Sequence, residues 1–190
     1  MFSKINHVAI VSENYAQLAQ FYIAAFGMRT SEKTRAGRAV TVGDGYVGLN
    51  INPRHINHVA LRTMNPDDMA TFYRDVFELA PRNVEKRADD RNHYLTDGHM
   101  TLVVMPWDIT DYEDTGIITA GMDHIGFKVE SVEAFKADVE RIAADNPRLA
   151  PAPVHTGKEG AALEKLFARS CAMGQHRLAD PDGILIDVMG

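Results

Sequence analysis

A six-residue motif with a histidine at its third position occurs three times in this 190-residue chain. Its copies are the segments 5–10 (INHVAI), 56–61 (INHVAL) and 122–127 (MDHIGF), which contain His7, His58 and His124. Short apolar runs of this kind are typical of β-strands. The motif therefore predicts a fold built from repeats, with one imidazole at the same point of three similar strands.

A helix is predicted after each copy of the motif. The first helix spans 14–26 and ends at Gly27. The second begins with Asn65 as N-cap and Pro66 as its first residue. The third is capped by Ser131 and stops at the pair 146–147 (Asn-Pro). The apolar residues expected to share one face of each helix are Leu18, Phe21, Tyr22 and Ala25, then Met69, Phe72, Tyr73 and Val76, then Val132, Phe135, Val139 and Ile142.

Asp-Gly pairs at 44–45, 97–98 and 182–183 predict turns that join the closing strands of each repeat. The chain then divides into a first βαβββ unit at 1–54 and a domain at 55–190, in which the units 55–107 and 121–190 pair. The acidic stretch 108–120 is long enough to connect those two units across a sheet. The insertion 157–174 carries an amphipathic core at 161–168, for which we expect a surface helix or, alternatively, a lid.

The charge balance limits the partners of the chain. Its 20 basic and 26 acidic side chains give a net charge of −6, so we expect neither nucleic acid nor a membrane as partner. No apolar run reaches the roughly 20 residues that a membrane span needs, and we expect a cytoplasmic protein. Because Cys171 is the sole cysteine, any metal site must use histidine, carboxylate and water ligands.

The closing segment 180–187 (DPDGILID), the opening motif and the Phe-Tyr pair of the helices resemble the vicinal-oxygen-chelate superfamily, which includes glyoxalase I, extradiol dioxygenases and bleomycin-resistance proteins. The resemblance covers nearly the whole chain. It implies an α+β fold in which repeated βαβββ units pair their sheets into a cupped, barrel-like cavity. It also implies a divalent metal ion bound by histidines of the opening strands and a carboxylate of a closing strand. An odd number of units departs from that pattern, so we expect a homodimer in which the first unit completes its sheet.

On this resemblance, the candidate metal ligands are His58, His124 and Asp187, with His7 as the alternative to His58. Strand alternation places His58 and Ala60 on one face and Asp187 on the corresponding face of the last strand. The position four residues after the turn glycine is Leu49 in the first copy, Leu102 in the second and Asp187 in the third. The chain can therefore complete at most one set of two histidines and one carboxylate. The family's usual carboxylate is glutamate, and Asp187 is shorter by one methylene.

Two imidazoles and one carboxylate leave about three positions open on a six-coordinate ion, which favours Fe(II), with Mn(II) or Zn(II) as alternatives. Candidates for acid and base roles are His93, Tyr94 and His176, with His99 a further possibility. Arg62 or Arg177 could orient an anionic substrate. Each of these residues has a surface or structural role as its alternative.

We expect a metal-dependent enzyme that acts on a small substrate with vicinal oxygens, foremost an extradiol-type dioxygenase. A glyoxalase-type lyase or isomerase is the alternative enzyme, but a fourth protein ligand is missing from the matching positions. A metal-free binding protein like the bleomycin-resistance proteins is the other alternative. In that case aromatic residues would stack on a flat ligand, the candidates being Tyr46, Tyr94, Trp107 and Phe127.

Overall fold

The computed structural model describes residues 5, 7–10, 12–30, 40, 42–43, 54–86, 88–107, 121–153 and 174–190. These residues form three α-helices, nine β-strands and one short 3-10 helix, which confirms the predicted α+β class. The chain divides into two compact units. Unit I contains Asn57–Gly126 and the described residues up to His7, and unit II contains the described residues of Val8–Ile56, Phe127–Pro153 and Gly174–Gly190.

Unit I is a mixed sheet with one helix. Its elements are β3 (His55–Thr63), α2 (Pro66–Phe77), β4 (Ala80–Pro81), β5 (His93–Thr96), β6 (Thr101–Pro106) and β7 (Gly121–Lys128). The first two residues of β3 and the last two of β7 belong to unit II. The strands are ordered β4-β5-β6-β3-β7. β6 runs parallel to β3 and antiparallel to β5, as expected when a helix connects β3 to the hairpin that follows.

The two faces of the sheet in unit I carry different residues. One face packs against α2, through a core formed by Ala70, Leu79, Leu95, Leu102 and Val104. The register of β3, β5 and β6 places His58, Ala60, Thr101, Val103 and Tyr94 together on the opposite face, which we call the histidine face. The prediction that His58 and Ala60 share the face away from the helix is therefore confirmed.

Unit II contains α1 (Tyr15–Phe26), β1 (Arg29–Thr30), β2 (Val42–Gly43), α3 (Val132–Asp145), the 3-10 helix Pro147–Leu149, β8 (His176–Ala179) and β9 (Leu185–Met189). The rings of Phe26 and Phe127 stack with centroids 3.8 Å apart, and Phe26 also contacts Phe135 of α3. α1 ends at Gly27, whose φ of 65° lies in the left-handed region that glycine tolerates. This aromatic core fixes α1 beside α3.

The closing hairpin β8–β9 is held by a buried carboxylate. Asp180 accepts hydrogen bonds from the backbone N–H groups of Asp182 and Ile184, each 2.9 Å long, and from the Tyr22 hydroxyl. Burial raises the pKa of Asp180, and it raises that of Tyr22 with help from the neighbouring charge of Asp180. The predicted turn at 182–183 is confirmed, with Gly183 at a φ of 92°.

One local prediction was wrong, and one predicted apolar helix face is only partly buried. Residues 5 and 7–10 lie outside every helix and strand, so the described part of the first copy lacks the predicted opening strand. On α2, Phe72 and Val76 are 49% and 58% exposed, whereas Ala70 is buried, with Met69 and Tyr73 partly so. The sheet of unit I therefore covers only part of the apolar face of α2.

Some predicted features lie outside the described residues: the turn at 44–45 and its flanking strands, the connection 108–120 and the helix at 161–168. None of the helices in the described part of the chain has the length and apolar character that a membrane span requires.

Candidate metal centre

His58 and His124 lie in β3 and β7, which are neighbouring strands of unit I. Both side chains are 0% exposed. Their Nε2 atoms are 3.1 Å apart, and the two rings meet edge to face with an interplanar angle of 83°. The structure therefore brings together two of the three predicted histidines.

Each of these histidines has a polar partner immediately before it in the sequence. Asp123 Oδ1 lies 2.7 Å from Nδ1 of His124, and Asn57 Oδ1 lies 3.2 Å from Nδ1 of His58. A carboxylate oxygen and an amide oxygen accept hydrogen bonds, so Nδ1 is the donor in both rings. Both Nε2 atoms then present lone pairs to each other.

Two lone pairs 3.1 Å apart repel unless a proton or a cation lies between them. Two imidazole nitrogens bound to one ion at about 2.0–2.1 Å are roughly 3 Å apart when the angle at the ion is near 90°. The spacing of His58 and His124 matches that distance. The chemistry of the pair therefore fits a bound divalent metal ion.

The protonation of His58 favours the same role. Burial, the neighbouring His124 and the positive charge of Arg82 lower the pKa of His58 well below its usual value of 6.5. A histidine binds metal through its neutral form, because a proton on Nε2 would occupy the lone pair. His58 is thus kept in the form that can act as a ligand.

Asp123 is itself held in place by a buried ion pair. Its Oδ2 accepts a hydrogen bond from Nη1 of Arg62 at 3.2 Å. The Arg62 side chain is 10% exposed and that of Asp123 is 2% exposed. Carboxylates that accept from a metal-binding histidine fix its ring orientation and raise its basicity. Asp123 and Arg62 therefore orient His124.

Gly126 provides the space for the ring of His58. A Cβ atom at this position would lie 1.8 Å from Cε1 of His58, far inside van der Waals contact. Gly126 stands two residues after His124, where the second copy of the motif has Ala60. A glycine at this point of β7 is therefore required by the position of His58 rather than by backbone conformation.

In unit II, Asp187 lies in β9 and is 1% exposed. It pairs with Arg177 of β8 in the antiparallel register, so the two side chains share one face of the hairpin. A Cβ atom at Gly174 would lie 1.7 Å from Oδ1 of Asp187. Any larger residue at position 174 would therefore overlap the Asp187 carboxylate.

The register corrects one predicted equivalence. Tyr94 pairs with Val103 in β5–β6, as Arg177 pairs with Asp187 in β8–β9. The counterpart of Asp187 in the second copy is therefore Val103, not Leu102, because the turn of β5–β6 is one residue shorter. The position remains apolar, so the second copy still supplies no carboxylate there.

The other predicted site residues are dispersed. His93 pairs with Val104 on the helix side of the sheet, where its Nε2 lies 2.8 Å from Asp67 Oδ1 of α2. His176 lies on the α3 side of its hairpin, near the ring of Phe135, and burial together with Lys136 lowers its pKa. His7 is exposed.

Tyr94 lies on the histidine face. Its hydroxyl donates to Asp90 at 2.8 Å and accepts from Nδ2 of Asn92 at 3.3 Å, while Lys86 Nζ lies 5.3 Å from the ring centroid. Of the two candidates in β5, Tyr94 shares a sheet face with His58 and His93 does not.

A family model described as Glyoxalase/Bleomycin resistance protein/Dioxygenase superfamily matches residues 55–188. This match spans well over half of the chain and includes both histidines and the carboxylate described above. The chain belongs to this superfamily. The resemblance inferred from the opening motif and the closing segment is thereby confirmed.

Solved structures similar to this superfamily member include a hypothetical protein from Bacillus halodurans C-125, at 14% identity, a TM-score of 0.41 and coverage of 71% of this chain and 92% of that one. Methylmalonyl-CoA epimerase from Mycobacterium tuberculosis is 13% identical, with a TM-score of 0.42 and coverage of 70% and 85%. A Streptomyces coelicolor methylmalonyl-CoA epimerase variant is 17% identical, with a TM-score of 0.42 and coverage of 70% and 91%. No curated protein sequence matches the chain significantly.

Sequence reasoning missed four residues next to the candidate ligands: Asn57, Asp123 and Gly126 in unit I, and Gly174 in unit II. The first two left a visible signal, because each polar residue directly precedes a motif histidine. The glycines left none, since their role depends on which side chain of a neighbouring strand or segment lies over them.

Proposed function

We propose that the protein is a metal-dependent enzyme whose ion is held by His58, His124 and Asp187. The observation that carries this proposal is the pair of Nε2 atoms 3.1 Å apart, each in a ring whose Nδ1 donates to a fixed oxygen. Within unit I the two imidazoles lie side by side, and Asp187 of unit II is the proposed third ligand. His7 remains the alternative to His58, but its exposure argues against it.

Asp187 is proposed as the carboxylate ligand for two reasons. Its side chain is buried in an otherwise apolar strand, where a carboxylate costs several kcal/mol unless a cation or hydrogen bonds compensate it. It also occupies the closing-strand position that the superfamily resemblance assigns to a metal-binding carboxylate. A residue one methylene longer is usual there.

Bound by three protein ligands, Fe(II) would retain about three positions at which a substrate with two neighbouring oxygens and dioxygen can be held together. Mn(II) or Zn(II) could use the same donors. His58 and His124 would bind the ion as neutral imidazoles, and Asp123 would fix the orientation of His124. Tyr94 is the proposed acid or base, because it lies on the histidine face; His93 and His176 are weaker candidates.

We propose extradiol-type ring cleavage as the reaction. Metal analysis of protein purified without chelator or nickel resin tests the site first. Wild type should contain close to one iron or manganese per chain, and His124→Ala and Asp187→Ala should contain almost none. His93→Ala serves as a matched control, because His93 lies on the other face of the sheet, and it should keep the metal.

Oxygen uptake with catechol then tests the reaction, with one dioxygen consumed per ring cleaved. Absence of metal under supplementation with iron, manganese and zinc would instead favour a metal-free binding protein. Metal without oxygen uptake would favour lyase or isomerase chemistry. The homodimer and the cytoplasmic location stay predictions that light scattering and cell fractionation can check.

A further inference from the structure

Arg82 follows the edge strand β4 and continues its pairing with β5. Its backbone N–H donates to the carbonyl of Tyr94 at 2.8 Å, one step beyond the pair formed by Pro81 and Leu95. Side chains at paired positions of neighbouring strands share a sheet face. Arg82 is therefore directed to the histidine face.

The guanidinium of Arg82 reaches the centre of that face. Its Nη1 donates a hydrogen bond to the hydroxyl of Thr101, a residue that is 0% exposed. Thr101 is the register partner of His58 in the parallel pair of β6 and β3.

Two further arginines, both with largely buried side chains, have acidic partners. Arg54 pairs with Glu130 and Asp138, and Arg62 pairs with Asp123. Within the part of the chain that the structure describes, no carboxylate forms an ion pair with the partly buried Arg82. Its hydrogen bond to Thr101 engages one of the five guanidinium N–H donors.

We propose that Arg82 binds an anionic group of the substrate, and that this group is a carboxylate next to the oxygens that bind the metal. That the substrate also binds a metal ion rests on the proposed function. That Arg82 binds an anionic group does not. A guanidinium presents two parallel N–H donors that match the two oxygens of a carboxylate. Beside His58, this arrangement favours chelating substrates, catechols included, that carry a carboxylate over the same substrates without one.

The experiment uses oxalate as probe, because it is a small dianion with vicinal oxygens. Calorimetric titration of the Mn(II)-loaded protein compares wild type with Arg82→Gln, Arg82→Lys and the control Arg74→Gln, whose arginine is 51% exposed on α2. Loss of a charge-assisted hydrogen-bonded pair predicts roughly 10- to 100-fold weaker oxalate binding for Arg82→Gln. Arg82→Lys should be intermediate, and Arg74→Gln should match wild type.

Metal affinity provides a second readout with the opposite sign. Removing a positive charge beside His58 should leave Mn(II) affinity unchanged or increase it, so Arg82→Gln should bind metal at least as well as wild type and oxalate less well. A merely structural defect would weaken both. Equal oxalate affinity in wild type and Arg82→Gln would overturn the proposal.

The metal-free protein separates this inference from the proposed function. In ¹⁵N-detected NMR spectra, oxalate should shift the Nε–H signal of Arg82 and leave that of Arg74 in place. A signal that does not move overturns the role of Arg82 whatever metal is bound, whereas failure to bind Mn(II) overturns only the metal site. If inorganic phosphate shifts the signal at lower concentration than oxalate, the carboxylate assignment is wrong.

Discussion

The second and third copies of the repeat share one backbone plan but differ in the residues that face the site. Both place a histidine in the opening strand and a hairpin at the end. In the second copy the paired hairpin residues are Tyr94 and Val103, which pack in an apolar cluster. In the third they are Arg177 and Asp187. The same scaffold thus has apolar packing at this position in one copy and two charged residues at paired positions in the other.

The opening strands differ in the same sense. The second copy surrounds its histidine with Asn57 and Ala60, and the third with Asp123 and Gly126. The third copy therefore contributes the ionised partner and the open space, while the second contributes a ring that fills that space. The comparison indicates that each copy supplies one histidine, to which the third copy adds an ionised partner and the second adds apolar packing.

The largest effect is expected from making the third hairpin like the second, with Asp187→Val. Loss of a protein ligand should lower metal affinity at least about 100-fold, beyond the 10- to 100-fold typical of losing an outer partner. Stability of the metal-free protein should stay equal or rise, because a buried carboxylate is removed. Metal titration and urea unfolding measure both. Wild-type metal affinity in this variant would contradict the assignment of Asp187.

The reverse change, Val103→Asp, is the matched control. It places a carboxylate at a fully buried position within the apolar cluster of Ala60, Tyr94 and Met105. We expect a loss of several kcal/mol in the free energy of unfolding and no gain of metal. Unchanged stability would show that the two hairpins differ less in their surroundings than their paired residues indicate.

Gly126→Ala should have the next largest effect, because it introduces into the third copy the residue that the second has at Ala60. The added Cβ would overlap the ring of His58, so overpacking should cost about 1–3 kcal/mol and displace a ligand. The double variant His58→Ala/Gly126→Ala, in which the ring is absent, should lose no further stability relative to His58→Ala. Urea unfolding of the four proteins tests this coupling.

Local signals account for the parts of the fold that could be predicted. Helix ends at Gly27 and Ser131, and the turns at Gly98 and Gly183, depend on residues within a few positions and were found as expected. The exposure of Phe72 could not be foreseen, since the equivalent Phe21 of α1 has the same sequence spacing and is fully buried. What covers a helix face depends on distant segments.

The candidate site also contains residues that could be predicted from the sequence and residues that could not. Strand alternation was sufficient to place His58 on the face away from α2. The roles of Gly126 and Arg82 depend on which residues of neighbouring strands lie side by side, and that register is not encoded in any local motif. Predicting them would have required knowing in advance that β3 pairs with β7 and that β4 pairs with β5.

A smaller effect is expected from exchanging the partners of the two histidines. Asp123→Asn keeps an oxygen that accepts from His124 but removes its charge, so metal affinity should fall about 10-fold. Asn57→Asp adds a charge beside His58 and should leave metal affinity equal or higher. Metal titration measures both, and ¹⁵N NMR should show His124 still protonated at Nδ1 in Asp123→Asn. Equal affinity of wild type and Asp123→Asn would remove Asp123 from the site.

The smallest effect concerns the pH dependence of stability, in which His58 should differ from the exposed His7. The folded state lowers the pKa of His58, so below about pH 6.5 the unfolded chain binds more protons than the folded one. Stability contributed by neutral His58 is therefore complete above that pH and is lost as the pH falls toward the folded-state pKa. Urea unfolding of metal-free protein at pH 7.5 and 5.5 should show a smaller difference for His58→Gln than for wild type or His7→Gln. The same difference in all three would mean that burial does not keep the His58 imidazole neutral, and the second copy would then no longer supply a ligand ready for metal.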